Sequence, residues 1–262
     1  MIGIFDSGIG GLTVVKEVFN ILPDYQIAYF GDTARTPYGT KGDKTIVKYA
    51  QQDAEFLVQK GAKILIVACN TASAVAYDQL RQKFYLPVFE VITPAVRKAI
   101  AATANKRVGV IGTQATIASG IYERLINQED SKIKVMSVAC PLLVPLVEEN
   151  WLTKPETKRI AKKYLKPLKN KQIDTLILGC THYPLLKEMI SQIMGKRVTI
   201  IDPAHETAQA VKEFLAKNQK VAQNTIKGSE HQFYVSDITP KNKNVAQSWL
   251  GRKIELIEIN IE

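Results

Sequence analysis

Two cysteines stand at the ends of two matching apolar runs. ILIVACNTAS (64–73) ends its run on Cys69 and continues into Asn70, Thr71 and Ser73. TLILGCTHYP (175–184) ends on Cys180 and continues into Thr181 and His182. The chain has only three cysteines. A lone cysteine at a strand end is usually a small buried hydrophobe, and Cys140, between Ala139 and Pro141, reads that way. The matched pair asks for more. Small polar followers suit a loop that holds a small anionic ligand, and His182 can trade protons with a thiol or with that ligand. If each cysteine precedes a helix, the free N–H groups and partial positive charge of the helix start lower the thiol pKa.

Two opposed thiols fit one reaction class well. Moving a proton from one face of a carbon to the other needs a base on one side and an acid on the other. One cysteine takes the α-proton as thiolate, and its partner returns a proton to the opposite face. Other readings remain open. Cys180 and His182 with a third ligand would make a metal site, although the spacing matches no common zinc pattern and no C-x-x-C occurs. A Cys–His hydrolase leaves Cys69 without a task. A pyridoxal enzyme needs a Schiff-base lysine, and none stands out. A binding module for small acidic ligands is the non-catalytic alternative.

The start of the chain, FDSGIGGLT (5–13), sets Gly8, Gly10 and Gly11 after an apolar run. Thr13 occupies the third glycine place of a dinucleotide fingerprint, and no phosphate-binding G-x-x-x-x-G-K-[ST] occurs. A tight turn is the plain reading. Asp6 and Ser7 add interest, because a carboxylate there can hold a substrate ammonium or assist a nearby thiol.

These residues need a frame. The 262 residues suffice for one large domain or two modest ones. At 46% hydrophobic and 23% charged, the chain is expected to pack a core. No apolar run reaches the roughly 18–20 residues of a membrane span, and no signal peptide is read at MIGIFDSGIGG. The odd, sparse cysteines argue against a disulfide framework and for a cytoplasmic home. Net charge is +10, yet the basic residues between Lys154 and Lys171 alternate with Ile160, Tyr164, Leu165 and Leu168. That pattern is an amphipathic helix with a solvated face, so neither nucleic acid nor membrane is expected as a partner.

Short apolar runs alternate with helical patterns. Strands are expected at Met1–Phe5, Gln26–Phe30, Lys63–Ala68, Val88–Val91, Arg107–Ile111, Lys134–Val138 and Thr175–Leu178. Helices are expected near Leu12–Phe19, Thr45–Lys60, Ser73–Phe84, Ile117–Asn127 and Lys154–Leu168. Phe233–Val235 and Ile254–Ile259 alternate like strands, the latter like an edge. The rhythm predicts an α/β fold of parallel βαβ units. It also repeats. VGVIGTQAT (108–116) matches IGIFDSGIG (2–10), and KVMSVACP (134–141) matches QIAYFGDT (26–33). Gly109 follows Gly3 by 106 residues and Cys180 follows Cys69 by 111. Two pseudo-symmetric α/β lobes with mostly parallel sheets, and a site in the cleft between them, account for this. The boundary is expected near Thr93–Pro94.

Five blocks taken in order, DSGIGGLT (6–13), GDTARTPYG (31–39), ACNTAS (68–73), CPLLVPLVEEN (140–150) and GCTHYP (179–184), resemble the aspartate/glutamate racemase family over essentially the whole chain. The resemblance implies cofactor-independent interconversion of L- and D-glutamate for bacterial peptidoglycan, in a homodimer, with no metal. It implies that Cys69 and Cys180 are the catalytic pair. By the same match Asp6, Ser7, Tyr38, Gly39, Asn70, Thr71, Thr181 and His182 contact substrate, with Thr113 and Glu148 in matching blocks. In that family the last segment returns to the first lobe, which divides this chain into 1–93 with about 208–262, and 94–207. Sister chemistry on the same fold, such as aspartate racemisation, another isomerisation or a decarboxylation, is the rival. Some relatives carry an N-terminal extension linked to activation by a cell-wall precursor; this chain starts at its first strand, so such activation is not expected.

Overall fold

A computed structural model describes residues 1–261. Strand and helix alternate from the start: β1 (Ile2–Asp6), α1 (Leu12–Ile21), β2 (Ile27–Gly31), α2 (Asp43–Gln59), β3 (Ile64–Val67), α3 (Asn70–Lys83) and β4 (Val88–Glu90). After α4 (Ile92–Ala102) a second series runs β5 (Arg107–Gly112), α5 (Gln114–Ala118), α6 (Ile121–Glu129), β6 (Lys134–Ala139), α7 (Leu143–Glu148), α8 (Pro155–Asn170), β7 (Thr175–Gly179), α9 (Lys187–Met194) and β8 (Thr199–Ile201). The chain ends through α10 (Pro203–Lys217), α11 (Gln219–Asn224), β9 (Gln232–Val235), α12 (Pro240–Leu250) and β10 (Leu256–Glu258).

The strands form two sheets, ordered β10-β9-β2-β1-β3-β4 and β6-β5-β7-β8. Every pairing between these strands is parallel. Set aside β9 and β10 and the two orders coincide: second, first, third and fourth strand of each series. The internal repeat is therefore a repeat of topology, and β3 and β7, which carry the cysteines, are equivalent strands. Both are wholly buried, as continuous aliphatic runs covered on two faces must be.

Helices close the sheets with their apolar stripes. α1 buries Leu12, Val14, Val15 and Val18. α8 starts on Pro155, whose missing N–H costs nothing at a first turn, and buries Ala161, Leu165 and Leu168 beneath its lysines. α4 packs Ile92, Ala95, Val96 and Ala99 with Val108, Val110 and Ile177 of the second sheet. α10 lies against both α1 and α4. Thus one continuous core joins Ile4 and Val14 of the first lobe to Leu176 and Leu178 of the second. Among the described residues no helix is long and apolar enough to cross a membrane.

Two expectations change. The helix expected over Ile117–Asn127 is two helices, α5 and α6, parted at Gly120, whose φ of +62° is left-handed. The helix expected from Ser73 starts at Asn70, so Asn70 and Thr71 belong to its first turn.

Candidate active site

Loops at the carboxyl ends of parallel strands make the ligand sites of open α/β folds. Here the loops after β1, β2, β3, β5, β6 and β7 converge on a cavity of about 330 Å³, within the usual range for small-molecule sites. Cys69 of the first lobe and Cys180 of the second both line it. So do Ser7, Tyr38, Gly39, Asn70, Thr71, Thr181 and His182, along with Thr113 and Glu148. Asp6 does not. Sequence reasoning missed Thr36, Pro37, Thr40, Gln114, Pro141, Val144 and Pro145, which complete the wall. Loop residues without ionisable groups give no chemical signal in a sequence.

Cys69 is the N-cap of α3, and its Sγ accepts from the Ala72 N–H at 3.5 Å. Its own S–H donates to Ser7 Oγ at 3.4 Å. The expected lowering of its pKa does not occur. Burial, and then the nearby Asp6 carboxylate, push the Cys69 thiol up to about 12, outweighing the help of Ser7 and the Ala72 N–H. One turn of helix dipole is a small effect beside the removal of water. Asp6 is fully buried behind this thiol. Its Oδ2 accepts from the Gly8 N–H at 3.1 Å, while Oδ1 is the one fully buried side-chain polar atom without a partner among the described residues. Burial raises its pKa against the pull of His182. Asp6 stands outside the cavity lining, and its charge raises the Cys69 thiol rather than lowering it.

Cys180 has different company. No α-helix starts on it; a 3₁₀ turn, Tyr183–Leu186, comes first. Its Sγ lies 3.7 Å from His182 Nδ1, and His182 Nε2 lies 3.0 Å from Glu148 Oε1. Burial opposes an imidazolium there, but Cys180 and Glu148 outweigh it and push His182 up to about 10. At neutral pH the ring carries both protons, and one N–H faces the place where charge on Cys180 Sγ would form. The cavity is thus asymmetric, with a neutral thiol beside Asp6 on one wall and a thiol beside a cation on the other. Among the described residues no group of three His, Cys, Asp or Glu side chains is placed to hold a metal ion.

The glycine-rich turn after β1 exists for close approach. A Cβ on Gly10 would lie 2.3 Å from Thr181 Oγ1 and 2.6 Å from His182 Cε1. Thr13 Oγ1 ties the same loops by donating to the Thr181 carbonyl at 2.9 Å. Gly10→Ala is therefore expected to push the Cys180 loop aside. Overpacking of this kind costs about 1–3 kcal/mol of stability, whereas kcat/KM is expected to fall about 100-fold, the scale of a 1 Å misplacement. A thermal melt and steady-state kinetics on one preparation check the pair of numbers.

Tyr38 also departs from expectation. It is wholly buried, and its hydroxyl reaches the carboxylates of Asp32 and Asp53 rather than the cavity. What Tyr38 and Gly39 offer a ligand is their main chain. Gly39 backs onto Thr113, whose Cβ a methyl on Gly39 would meet at 3.2 Å. Thr71, Thr113 and Thr116 join hydroxyls across the lobes at 2.9–3.3 Å.

The fold and its paired thiols define an amino-acid racemase, and a family model described as Asp/Glu/Hydantoin racemase matches residues 11–211. The chain belongs to that family. Within it, the full-length similarity is to glutamate racemases. That of Geobacter metallireducens is 45% identical over 262 residues, covering all of this chain and 97% of the relative. A glutamate racemase isoform from Bacillus anthracis superposes with a TM-score of 0.94 at 39% identity, covering 99% of this chain and 97% of that one. The Francisella tularensis glutamate racemase, solved in complex with D-glutamate, gives 0.92 at 41% identity, covering 100% and 97%.

Proposed function

We propose that this protein interconverts L- and D-glutamate, without a cofactor, by passing the α-proton between Cys69 and Cys180. The observation that carries this reading is the placement of two thiols from different lobes on one small cavity. Similarity to glutamate racemases, one of them solved with D-glutamate, supports the choice of substrate.

A glutamate zwitterion brings two carboxylates and one ammonium. Asn70 and Thr71 begin α3, where N–H groups lack intrahelical partners and favour an anion. Thr181 and the Tyr38–Gly39 main chain supply further polar contacts, and Ser7 stands beside Cys69 for the amino end. In one direction Cys180, as thiolate against the His182 imidazolium, takes the α-proton. The Cys69 thiol, protonated at neutral pH, then gives its proton to the opposite face. Cys180 ends as thiol and Cys69 as thiolate, ready for the other enantiomer. The substrate ammonium beside Ser7 and Cys69 offsets the charge that burial otherwise resists. A closed, water-poor cavity strengthens each of these interactions.

The reading extends to D-glutamate supply for peptidoglycan in the cytoplasm, to a homodimer, and to lobes divided at 1–93 with about 208–262, and 94–207. It is tested by circular dichroism on each glutamate enantiomer in heavy water, with no added cofactor. Both should reach the same racemate with deuterium at the product α-carbon, and aspartate should react far more slowly. Dependence on added pyridoxal phosphate, or turnover of aspartate alone, would contradict it.

The asymmetry of the walls gives a pH prediction. His182 is raised, so its imidazolium persists until the pH passes about 10. Glu148→Gln removes one of the two partners that raise it. The alkaline limb of kcat/KM should then move down by roughly one pH unit in the direction where Cys180 is the base. Profiles measured from each enantiomer check this; an unmoved limb would mean that Glu148 does not govern His182.

A further inference from the structure

Tyr122, on α6 of the second lobe, touches both cysteine loops. Its ring lies against Gly179, the residue before Cys180: a Cβ built on Gly179 would meet Tyr122 Cε2 at 3.2 Å. Its hydroxyl crosses to the first lobe and donates to Oδ1 of Asn70, the residue after Cys69, at 2.6 Å. Both side chains are buried. No motif contains Tyr122, and it does not line the cavity.

The consequence lies in the amide. Asn70 has one acceptor end and one donor end. Tyr122 occupies the acceptor. Among the described residues Asn70 Nδ2 has no protein acceptor, the one side-chain hydrogen bond of Asn70 being that from Tyr122. That nitrogen is not sealed in the protein either, since Asp6 Oδ1 is the one fully buried side-chain polar atom without a partner among the described residues. Asn70 lines the cavity, so its NH2 opens there. With the amide turned over, a carbonyl oxygen would face an incoming carboxylate. Burial, followed by the charges of Glu90 and Cys180, holds the Tyr122 phenol far above its usual range, so it remains a neutral donor.

We propose that Tyr122 is a positioning residue of the racemase site: it backs the Cys180 loop with its ring and, through its hydroxyl, locks the Asn70 amide with the NH2 turned towards a substrate carboxylate. This rests on the glutamate racemase reading above. Tyr122 touches no reacting atom and acts through Asn70.

The test is a double-mutant cycle on glutamate racemisation with Tyr122→Phe, Asn70→Ala and both together. Tyr122→Phe keeps the ring on Gly179 and removes only the hydroxyl. KM for each enantiomer is expected to rise about tenfold, the scale of one ordered hydrogen bond, with kcat within about twofold. Combined with Asn70→Ala, the same change is expected to do nothing further. A loss through folding alone would instead lower the melting temperature and act equally in both backgrounds. Tyr122→Met fills the same space with a flexible apolar chain and serves as second variant, with the same rise in KM expected. An active wild type whose Tyr122 variants keep their KM, or lose the same factor on top of Asn70→Ala, overturns this inference alone. A wild type inert towards both enantiomers overturns the functional reading and this inference with it.

Discussion

Cys69→Ala and Cys180→Ala are each expected to abolish racemisation in both directions, by at least about 1,000-fold, a typical share for a general acid or base. The reason is stoichiometric. Inversion needs a proton removed from one face and another delivered to the opposite face, and each wall of the cavity holds one thiol able to do either. A single remaining thiol can wash the α-proton of one enantiomer into solvent, but it cannot complete the inversion. Stability should change little, by about 1 kcal/mol, because both cysteines border the cavity and each side chain is small. Racemisation by circular dichroism, solvent exchange at the α-carbon and a thermal melt separate these effects. Near-normal turnover in either variant would end the two-thiol account. Cys140 is the built-in control. Its S–H donates to the Val138 carbonyl at 3.6 Å, it does not line the cavity, and Cys140→Ala should racemise normally.

Arg35→Ala is expected to bring the largest loss of stability, about 3–5 kcal/mol, which for a chain of this size lowers Tm by roughly 6–20 °C. Arg35 Nε lies 2.7 Å from Asp32 Oδ2 and its terminal nitrogen 3.0 Å from Asp53 Oδ1. Both carboxyl side chains are wholly buried. Without the guanidinium, the two buried carboxyl groups lose their cation and keep the hydroxyls of Tyr38 and, at Asp32, Ser236. The same group carries Tyr38, whose hydroxyl meets Asp32 and Asp53 together. The phenol shares its one proton between the two carboxyl oxygens. Burial, and then the charge of Asp32, raise Asp53 well above the usual carboxylate range. Asp53→Asn, which removes a buried carboxyl charge and keeps the side-chain shape, is therefore expected to cost about 1 kcal/mol or less, far below Arg35→Ala. Denaturant melts of the two variants decide it; equal losses would mean that Asp53 is ionised. Because Tyr38 and Gly39 line the cavity, Arg35→Ala should also raise KM for glutamate.

Much of this was legible in the sequence for physical reasons. Buried parallel strands must be continuous aliphatic runs, so β1, β3, β5 and β7 announced themselves, and the offsets between Gly3 and Gly109 and between Cys69 and Cys180 reported a repeated topology. Cysteines at equivalent strand ends then had to approach a common cleft. What escaped reading depends on contacts across the chain. His182 and Glu148 are 34 residues apart, and Tyr122 sits 52 residues from Asn70 on an ordinary amphipathic helix. Asp6 and Tyr38 belong to the right blocks, but a sequence does not reveal which way a side chain turns once its strand or turn is buried. The thiol activation expected at Cys69 failed for a related reason, because the dipole of a helix is readable from its cap while the depth of burial is not.

The central claim is that one α-carbon fits between two sulfurs. A crystal structure of the protein with bound glutamate tests it most directly. Both Sγ atoms should lie roughly 3.5 Å from the α-carbon, the reach of a reacting pair, and on opposite faces of it. A ligand seated with one sulfur out of reach, or with both on the same face, would contradict the account.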